Sequence, residues 1–282
     1  REKLTTALLV KISIWAISIV LIASSITFLT TYNNAREQVI TVLQRDLAPT
    51  LERNQTLFNR IESNANILAD EFLSQYEIVK TTEGVIEQFE QWYEETSPGV
   101  VRLKPEFNRG IATSSRYFEN LSAFIGPRET AINDEFKLRI LAAQHVLNEL
   151  GPAWQKDVAN THFSMPENAL LMYSVDSPWG LLAYKDLVIT DFSVVKSTLQ
   201  SENPDRTPNW TGLYYDISAD VWTITYQKPI DLNGQHLANA SFDVALGSLL
   251  NDLTEKKRPK SEHIVLNAKG DLIAASNLAQ EA

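Results

Sequence analysis

The stretch from Leu8 to Leu29, LLVKISIWAISIVLIASSITFL, is apolar or small throughout except for Lys11. About 20 such residues span the hydrocarbon core of a bilayer. A cleaved signal peptide or a buried core helix has a shorter apolar run, of about 7 to 15 residues. The Ala23-Ser24-Ser25 stretch keeps a cleaved signal peptide as the alternative. We predict a retained transmembrane helix over residues 8–31.

The charges that flank this helix predict its orientation. Arg1, Lys3 and Lys11 precede or open the span, whereas Arg36 and Glu37 follow it without net positive charge. Since Lys and Arg are enriched on the cytoplasmic side, residues 1–7 are expected in the cytoplasm and everything after the span outside. This predicts a protein of the bacterial inner membrane with its main domain in the periplasm.

Composition restricts what this outer part can do. The net charge of −10 and the lack of a basic stripe interleaved with aromatics argue against a nucleic-acid partner. The chain has no cysteine, so disulfides and thiolate metal sites are excluded, while 44% apolar content is enough for a sizeable core. Because the chain starts at Arg1 and stops at Ala282 within a strand pattern, we expect it to be a fragment of a longer protein.

A second helix pattern follows the span directly, and it predicts a long stalk helix over residues 32–78. Apolar residues recur there in steps of three or four, with one step of seven. They are Ile40, Leu43, Leu47, Leu51, Phe58, Ile61, Ala65, Leu68, Phe72 and Tyr76. Such a seam indicates either a parallel homodimer through the stalk or packing on the domain behind it, and the pattern leaves both open. For a dimer, lysine at Ile61 and Leu68 would weaken association and leave the fold intact.

The remainder predicts an α+β domain at residues 79–253. Helical patterns cover Thr81 to Glu95 and Glu129 to Glu149, the second ended by Gly151-Pro152. Strand patterns cover 169–175, 213–217, 221–226 and 237–244, the last three as an antiparallel meander. A helical LGSLLNDL follows at 246–253. Residues 254–282 contain another hairpin pattern, the start of a second, truncated module.

No catalytic constellation is found in the sequence. The motifs searched for were Gly-rich phosphate loops, the Gly-x-Ser-x-Gly elbow and His-Glu-x-x-His. The four histidines lie far apart, and Glu149 is the one carboxylate at helical ligand spacing from one of them, His145. We therefore predict no enzymatic activity in this part of the protein, no metal and no cofactor.

The segment from Trp210 to Leu250, WTGLYYDISADVWTITYQKPIDLNGQHLANASFDVALGSLL, closely resembles the membrane-distal half of double Cache sensor domains. The order is Trp-Thr-Gly, Tyr-x-Asp, a Thr-x-Thr strand, a Pro before the turn, Asn-Gly, and a strand ending in Asp before a helix. HIVLNAKGDLIAAS resembles the first hairpin of the membrane-proximal half. The resemblance implies a PAS-like antiparallel sheet that binds amino acids, amines, carboxylates or other metabolites beneath covering loops.

The resemblance also places candidate ligand-binding residues. Its Tyr-x-Asp motif falls on Tyr214 and Asp216, and its strand-end acid falls on Asp243; in amino-acid-binding relatives these acids hold the ligand amine. The upstream Arg-x-Trp-Tyr motif that holds the carboxylate has its nearest counterpart in Arg206 and Trp210, four apart instead of two, with Thr211 in place of the Tyr. Recognition of an α-carboxylate therefore does not follow from the resemblance.

Two further aromatic residues, Tyr173 and Trp179, are candidates for the wall of a pocket together with Trp210 and Tyr214. Small-molecule sites combine such walls with a few aimed polar groups. For each of these aromatics a place in the core is the competing interpretation, and for Asp216 and Asp243 it is capping of a turn.

The function predicted from these features is the small-molecule-sensing input region of a transmembrane signalling receptor. Its output module, a diguanylate cyclase or a histidine kinase and less readily a chemotaxis transducer, would lie beyond Ala282. The alternative is a membrane-tethered structural or adhesive protein that uses the stalk as a coiled coil. An extracytoplasmic enzyme with a lost partner domain is a third class, disfavoured by the missing catalytic residues.

The orientation is testable with reporters fused after Asn33. A reporter that works only outside the cytoplasm is expected to be active there, and one that works only inside is expected to be inactive. Cytoplasmic activity at that junction would contradict the predicted topology.

Overall fold

The computed structural model describes residues 2–216, 221–245, 247, 264–266, 270 and 272–275. The chain divides into two compact units, residues 1–55 and 56–282. Helix α1, Glu2–Thr81, begins in the first unit and ends in the second.

The first unit is helical and contains an apolar segment with an exposed surface. The part Leu8–Asp46 of α1 is long and apolar enough to cross a membrane, and side chains such as Leu9 and Val20 are about 60% exposed. Several of its hydroxyl groups are satisfied within the helix: Ser18, Ser25 and Thr27 each donate to the carbonyl oxygen four residues earlier. Such internal bonds suit a helix in hydrocarbon, where water offers no partner. The predicted helix is confirmed, and its place in a membrane stays a prediction.

The second unit contains one large antiparallel sheet with helices and loops on both sides. The further helices are α2 Val85–Trp92, α3 Glu106–Arg109, α4 Asp134–Trp154, α5 Trp179–Leu182 and α6 Ser193–Lys196, with a 3-10 turn at Ile189–Asp191. The strands are β1 Tyr93–Ser97, β2 Val100–Leu103, β3 Ile111–Ala112, β4 Tyr117–Phe118, β5 Leu121–Ile125, β6 Asn160–Met165, β7 Ala169–Tyr173, β8 Asn209–Trp210, β9 Tyr214–Asp216, β10 Val221–Leu232, β11 Gln235–Ala245, β12 Ile264–Leu266 and β13 Leu272–Ala275.

The sheet order among the described strands is β1-β2-β5-β7-β6-β11-β10-β8, and β9 also pairs with β10. Separate pairs are β3-β4 and β12-β13. The hairpin β10-β11 turns at Asn233 and Gly234, both with positive φ, as the primed two-residue turn requires. The predicted meander and the α+β class are thus confirmed.

The two sides of the sheet carry different coverings. On one side, here the helix face, Phe163, Ile224 and Phe242 belong to a core cluster with α1, α2 and α4. On the other side, here the loop face, Phe124, Leu170 and Met172 pack with Trp179 and Val195 of the segment 174–208. Both faces are therefore removed from water.

The seam of α1 packs on the domain over its last four turns. Ile61, Leu68 and Phe72 have no exposed surface and lie in the helix-face core, and Tyr76 is 5% exposed. Of the two alternatives in the sequence, packing is what the structure shows for Ile61 to Tyr76. The expectation that lysine at Ile61 and Leu68 would leave the fold intact is therefore wrong. Closer to the N-terminus of the seam, the side chain of Ile40 is 42% exposed.

Several predicted boundaries differ from the structure. The helix predicted over Thr81–Glu95 ends at Trp92, because Tyr93 to Ser97 instead pair with β2. Helix α4 starts behind the cap Asn133, whose side chain accepts from the Phe136 amide, and continues through Gly151 and Pro152 to Trp154. The turn 218–220 and, Gly247 apart, the helix predicted at 246–253 lie outside the described residues. The β12-β13 pair is present, and its assignment to a second module stays a prediction.

A substitution pair on α1 tests the packing of its seam. Replacing the buried Leu68 by Ala is expected to lower the free energy of unfolding by about 2 to 5 kcal/mol, since it removes core contacts and leaves a cavity. The neighbouring Ile67 is 51% exposed, and the matched Ile67→Ala change is expected to shift stability by about 0.5 kcal/mol or less. Denaturant unfolding of the full chain measures both, and equal effects would contradict the packing.

His145 makes stability depend on pH. The centroid of its ring lies 5.8 Å from that of Trp92 and 6.1 Å from that of Phe118. Burial, and to a smaller extent the positive charge of Arg116, lowers the pKa of His145 from 6.5 to about 4. The unfolded chain therefore binds more protons between these two values, and stability falls as the pH decreases from about 6.5 toward 4. Replacing His145 by Phe is expected to flatten the decline between pH 7 and 5 in denaturant titrations. An unchanged slope would contradict this.

Candidate functional site

The loop face carries a buried patch of polar side chains where strands β6, β11 and β10 adjoin. Alternation along each strand sends the polar residues to this face and the apolar ones to the helix face. We call these side chains the polar patch. It comprises Asn160, His162 and Ser164 of β6, Asn239, Ser241 and Asp243 of β11, and Thr223, Thr225 and Gln227 of β10. All but Asn160 are at most 5% exposed.

Asp243 lies at the centre of a hydrogen-bonded row across the patch. Its Oδ1 accepts from Thr225 Oγ1 at 2.6 Å, and its Oδ2 accepts from Asn160 Nδ2 at 2.7 Å. Because the Thr225 hydroxyl proton is used on Asp243, the Tyr214 hydroxyl 2.7 Å away donates to Thr225. Two neutral donors thus hold a carboxylate that is 5% exposed, and Tyr214 supports one of them.

His162 completes this row as a neutral ring. Its Nδ1 lies 2.8 Å from Asn160 Oδ1 and 3.9 Å from Asp243 Oδ2. With the Asn160 amide group donating to Asp243, Asn160 Oδ1 must accept, so the proton of the neutral His162 ring lies on Nδ1. Burial lowers the His162 pKa more than the charges of Asp243 and Asp216 raise it. His162 therefore supplies Asp243 with a dipole and no full positive charge at neutral pH.

A second row lies toward the β10-β11 turn and is also satisfied. Asn239 Nδ2 donates to Ser164 Oγ at 3.0 Å, and Asn239 Oδ1 lies 2.9 Å from His236 Nε2. Since the Asn239 amide nitrogen is used on Ser164, the histidine ring donates to Asn239 Oδ1. Burial lowers the pKa of His236 as well. This end of the patch is held by uncharged groups.

Tyr214 and Asp216 stand at the edge of the patch on β9. Tyr214 pairs with Thr223 and Asp216 with Val221, so both point to the loop face. Burial raises the pKa of Tyr214, and the negative charges of Asp243 and Asp216 raise it further. The structure therefore brings together Asp243, Tyr214 and Asp216 of the predicted site residues.

Arg206 is engaged elsewhere. Its Nε and Nη2 contact the two carboxylate oxygens of Asp231 at 2.6 and 3.0 Å, and its Nη1 also donates to the carbonyl oxygen of Thr198. Arg206 has a positive φ of 54°. The Arg206 guanidinium therefore connects the segment 174–208 to strand β10 through an ion pair.

The three predicted aromatics lie away from the polar patch. Trp210 is on the helix face, where its Nε1 donates to Glu62 of α1 at 2.8 Å. Tyr173 is in the helix-face core against α4, so close to Gly151 that a Cβ there would lie 2.4 Å from its ring. Trp179 is on the loop face, where it packs edge-on to Phe124 in the apolar half. Their use in ligand binding stays a prediction.

Sequence reasoning missed most of the patch, including Asn160, His162, Thr225, Gln227 and Ser241. The signal was present in the alternation of NTHFSM on β6 and ANASFD within β11, in which every second residue is polar. A strand that is buried on both faces normally reads as a continuous apolar run. Polar alternation in a fully buried strand therefore marks an internal polar surface.

Another concavity lies at the end of α1 and holds about 580 Å³. It is lined by uncharged polar side chains such as Gln75, Gln88 and Thr113, together with Trp92 and His145. Arg116, also in its wall, is paired with Glu149. Among the described residues, no group of three or more His, Cys, Asp or Glu side chains is arranged to hold a metal ion.

No family model and no curated protein matches this chain. Solved structures do match it. The sensory domain of the Campylobacter jejuni chemoreceptor Tlp3 (CcmL), with isoleucine bound, matches over 80% of this chain and 75% of that chain, at 16% identity and a TM-score of 0.35. The ligand-binding domain of the Pseudomonas fluorescens chemoreceptor CtaA in complex with L-serine matches over 78% of this chain and 73% of that chain, at 13% identity and a TM-score of 0.37.

A third structure matches over a smaller part of the chain. It is the ligand-binding domain of the Pseudomonas aeruginosa amino acid chemoreceptor PctC in complex with GABA, similar over 46% of this chain and 56% of that chain, at 14% identity and a TM-score of 0.35. All three are described as sensory or ligand-binding domains of chemoreceptors.

Proposed function

We propose that the chain is the extracytoplasmic small-molecule-sensing input region of a transmembrane receptor, and that Asp243 holds a cationic group of the ligand. The observation that carries this is a carboxylate 5% exposed whose hydrogen-bond partners are the neutral Thr225 and Asn160. Burying a charge without a counter-charge is costly. A ligand cation at Asp243 would supply the missing charge.

The charges around the patch favour an amine over an α-amino acid. Arg206, the candidate partner for a ligand carboxylate, is bidentate to Asp231. Arg139 is 1% exposed on the helix-face side of the sheet, where it is paired with Glu135 and Glu167 and not with a ligand carboxylate. Amines without an α-carboxylate are therefore expected to bind at least as well as amino acids.

The remaining parts of the proposal come from the sequence. The receptor would cross the bacterial inner membrane through residues 8–31, with its sensor in the periplasm, and would form a homodimer through the stalk. The exposed seam residues Ile40 and Leu43 are available for that contact. Its output module would be a diguanylate cyclase or a histidine kinase.

Removing the charge of either acid tests the ligand site. Asp243→Asn and Asp216→Asn keep side-chain size and hydrogen-bonding capacity, and each is expected to weaken amine binding by about 1.5 to 3 kcal/mol, roughly ten- to a hundredfold. At position 243 the network can adapt, since Asn160 can turn its amide and His162 can change tautomer. Titration calorimetry of the full chain in detergent, with n-butylamine, L-serine and L-isoleucine, measures the change.

Asp157→Asn is the matched control, because Asp157 is an aspartate with a 31% exposed side chain that pairs with Arg60 outside the patch. It removes the same charge from the domain and is expected to leave amine affinity unchanged. Equal affinities in the wild type, Asp243→Asn and Asp216→Asn would overturn the assignment of this site.

A further inference from the structure

A row of polar side chains crosses four neighbouring strands between the two satisfied rows of the patch. Asn209 of β8 pairs with Gln227 of β10, Gln227 pairs with Ser241 of β11, and Ser241 pairs with His162 of β6. Asn209 faces the loop side, because its neighbour Trp210 contacts α1 on the helix side. We call Asn209, Gln227 and Ser241 the middle row.

The middle row has polar atoms without partners in the described part of the chain. They are both side-chain atoms of Gln227, the hydroxyl oxygen of Ser241 and the side-chain oxygen of Asn209. Gln227 and Ser241 have no exposed surface. Buried polar side chains nearly always have a hydrogen-bond partner, and leaving one unmade is costly.

The contrast with the flanking rows makes this arrangement specific. On one side of the middle row, Thr225 of β10 is hydrogen-bonded to Asp243 of β11. On its other side, Asn239 of β11 is hydrogen-bonded to Ser164 of β6. The same sheet therefore satisfies its polar groups on both sides of the middle row. The unpartnered donors and acceptors lie together, adjacent to Asp243.

The spacing between the middle row and Asp243 is set by the strands. Gln227 follows Thr225 by two residues and Ser241 precedes Asp243 by two, so both side chains are displaced by about 7 Å along the sheet from the carboxylate row. A short extended molecule with its cation at Asp243 would bring its other end to the middle row.

We infer that the middle row is a subsite for an uncharged hydrogen-bonding group of the ligand, a carboxamide or hydroxyl, joined by a short chain to the amine at Asp243. Gln227 offers both a donor and an acceptor, as a carboxamide requires. A carboxylate is disfavoured, because the charged neighbour of the row is Asp243 and burial keeps His162 neutral. This inference rests on the proposed function and names its ligand class.

Three probes of equal chain length test the subsite on the full chain in detergent: γ-aminobutyramide, γ-aminobutyrate and n-butylamine. All three present the same amine, and they end in a carboxamide, a carboxylate and a methyl group. Titration calorimetry is expected to show γ-aminobutyramide binding roughly tenfold more tightly than either of the others.

Gln227→Met removes the hydrogen-bonding groups of the middle row at similar volume. It is expected to abolish the advantage of γ-aminobutyramide over n-butylamine, because neither probe then has a hydrogen-bonding partner at position 227. It is also expected not to lower the melting temperature, since it removes groups that have no partner in the fold. Gln144→Met is the matched control, because Gln144 is equally buried on the helix face and accepts from Tyr93. It is expected to lower the melting temperature and keep the preference for the amide.

The outcomes separate the two proposals. Equal affinity of the wild type for all three probes, weakened by Asp243→Asn, would overturn the subsite and leave the amine site standing; ordered water would then be what the middle row binds. A preference for the amide that survives Gln227→Met would likewise overturn the subsite. Binding of none of the three probes would overturn both.

Discussion

The fold depends on a sheet that is buried on both faces, although its loop face is polar where β6, β11 and β10 adjoin. On β11, Ala238, Ala240 and Phe242 point to the helix face, and Asn239, Ser241 and Asp243 point to the loop face. Burial of the apolar side chains stabilises the helix face by about 25 cal/mol per Å² of apolar surface removed from water. The loop face gains no such term from its polar patch. The buried polar groups of the patch need hydrogen-bond partners, either inside the fold or on a bound molecule.

Part of this structure could be predicted from the sequence, because local signals and the final contacts agree. The β10-β11 hairpin follows from Asn233-Gly234, and the existence of α4 follows from its apolar period, although its start was predicted at Glu129 and lies behind the cap Asn133. The end of α4 was predicted at Gly151-Pro152, but the helix continues to Trp154 with Pro152 in its last turn. Gly151 is required there because a Cβ would lie too close to the ring of Tyr173. Such a tertiary contact leaves no local signal.

The site was predictable only where a family motif matched the sequence without a change in spacing. Asp243, Asp216 and Tyr214 came from the family resemblance, and the structure places them at one edge of the same patch. Tyr173 was chosen as an aromatic residue, and Trp210 came from the altered Arg-x-Trp-Tyr motif; both lie on the opposite face. Which face a strand residue takes depends on register, and one step of register inverts it. Composition carries no such information.

Contacts within the second unit connect the patch-bearing strand to α1. Leu237 of β11 accepts through its carbonyl oxygen from Arg139 of α4 at 2.8 Å, and Arg139 also binds Glu135 and Glu167. Glu135 in turn accepts from the Tyr76 hydroxyl of α1 at 2.9 Å. A buried guanidinium with two carboxylates is costly to separate, because any lost partner leaves an uncompensated charge. A displacement of β11 therefore has to carry α4 and the end of α1 with it, or break bonds that the fold cannot replace.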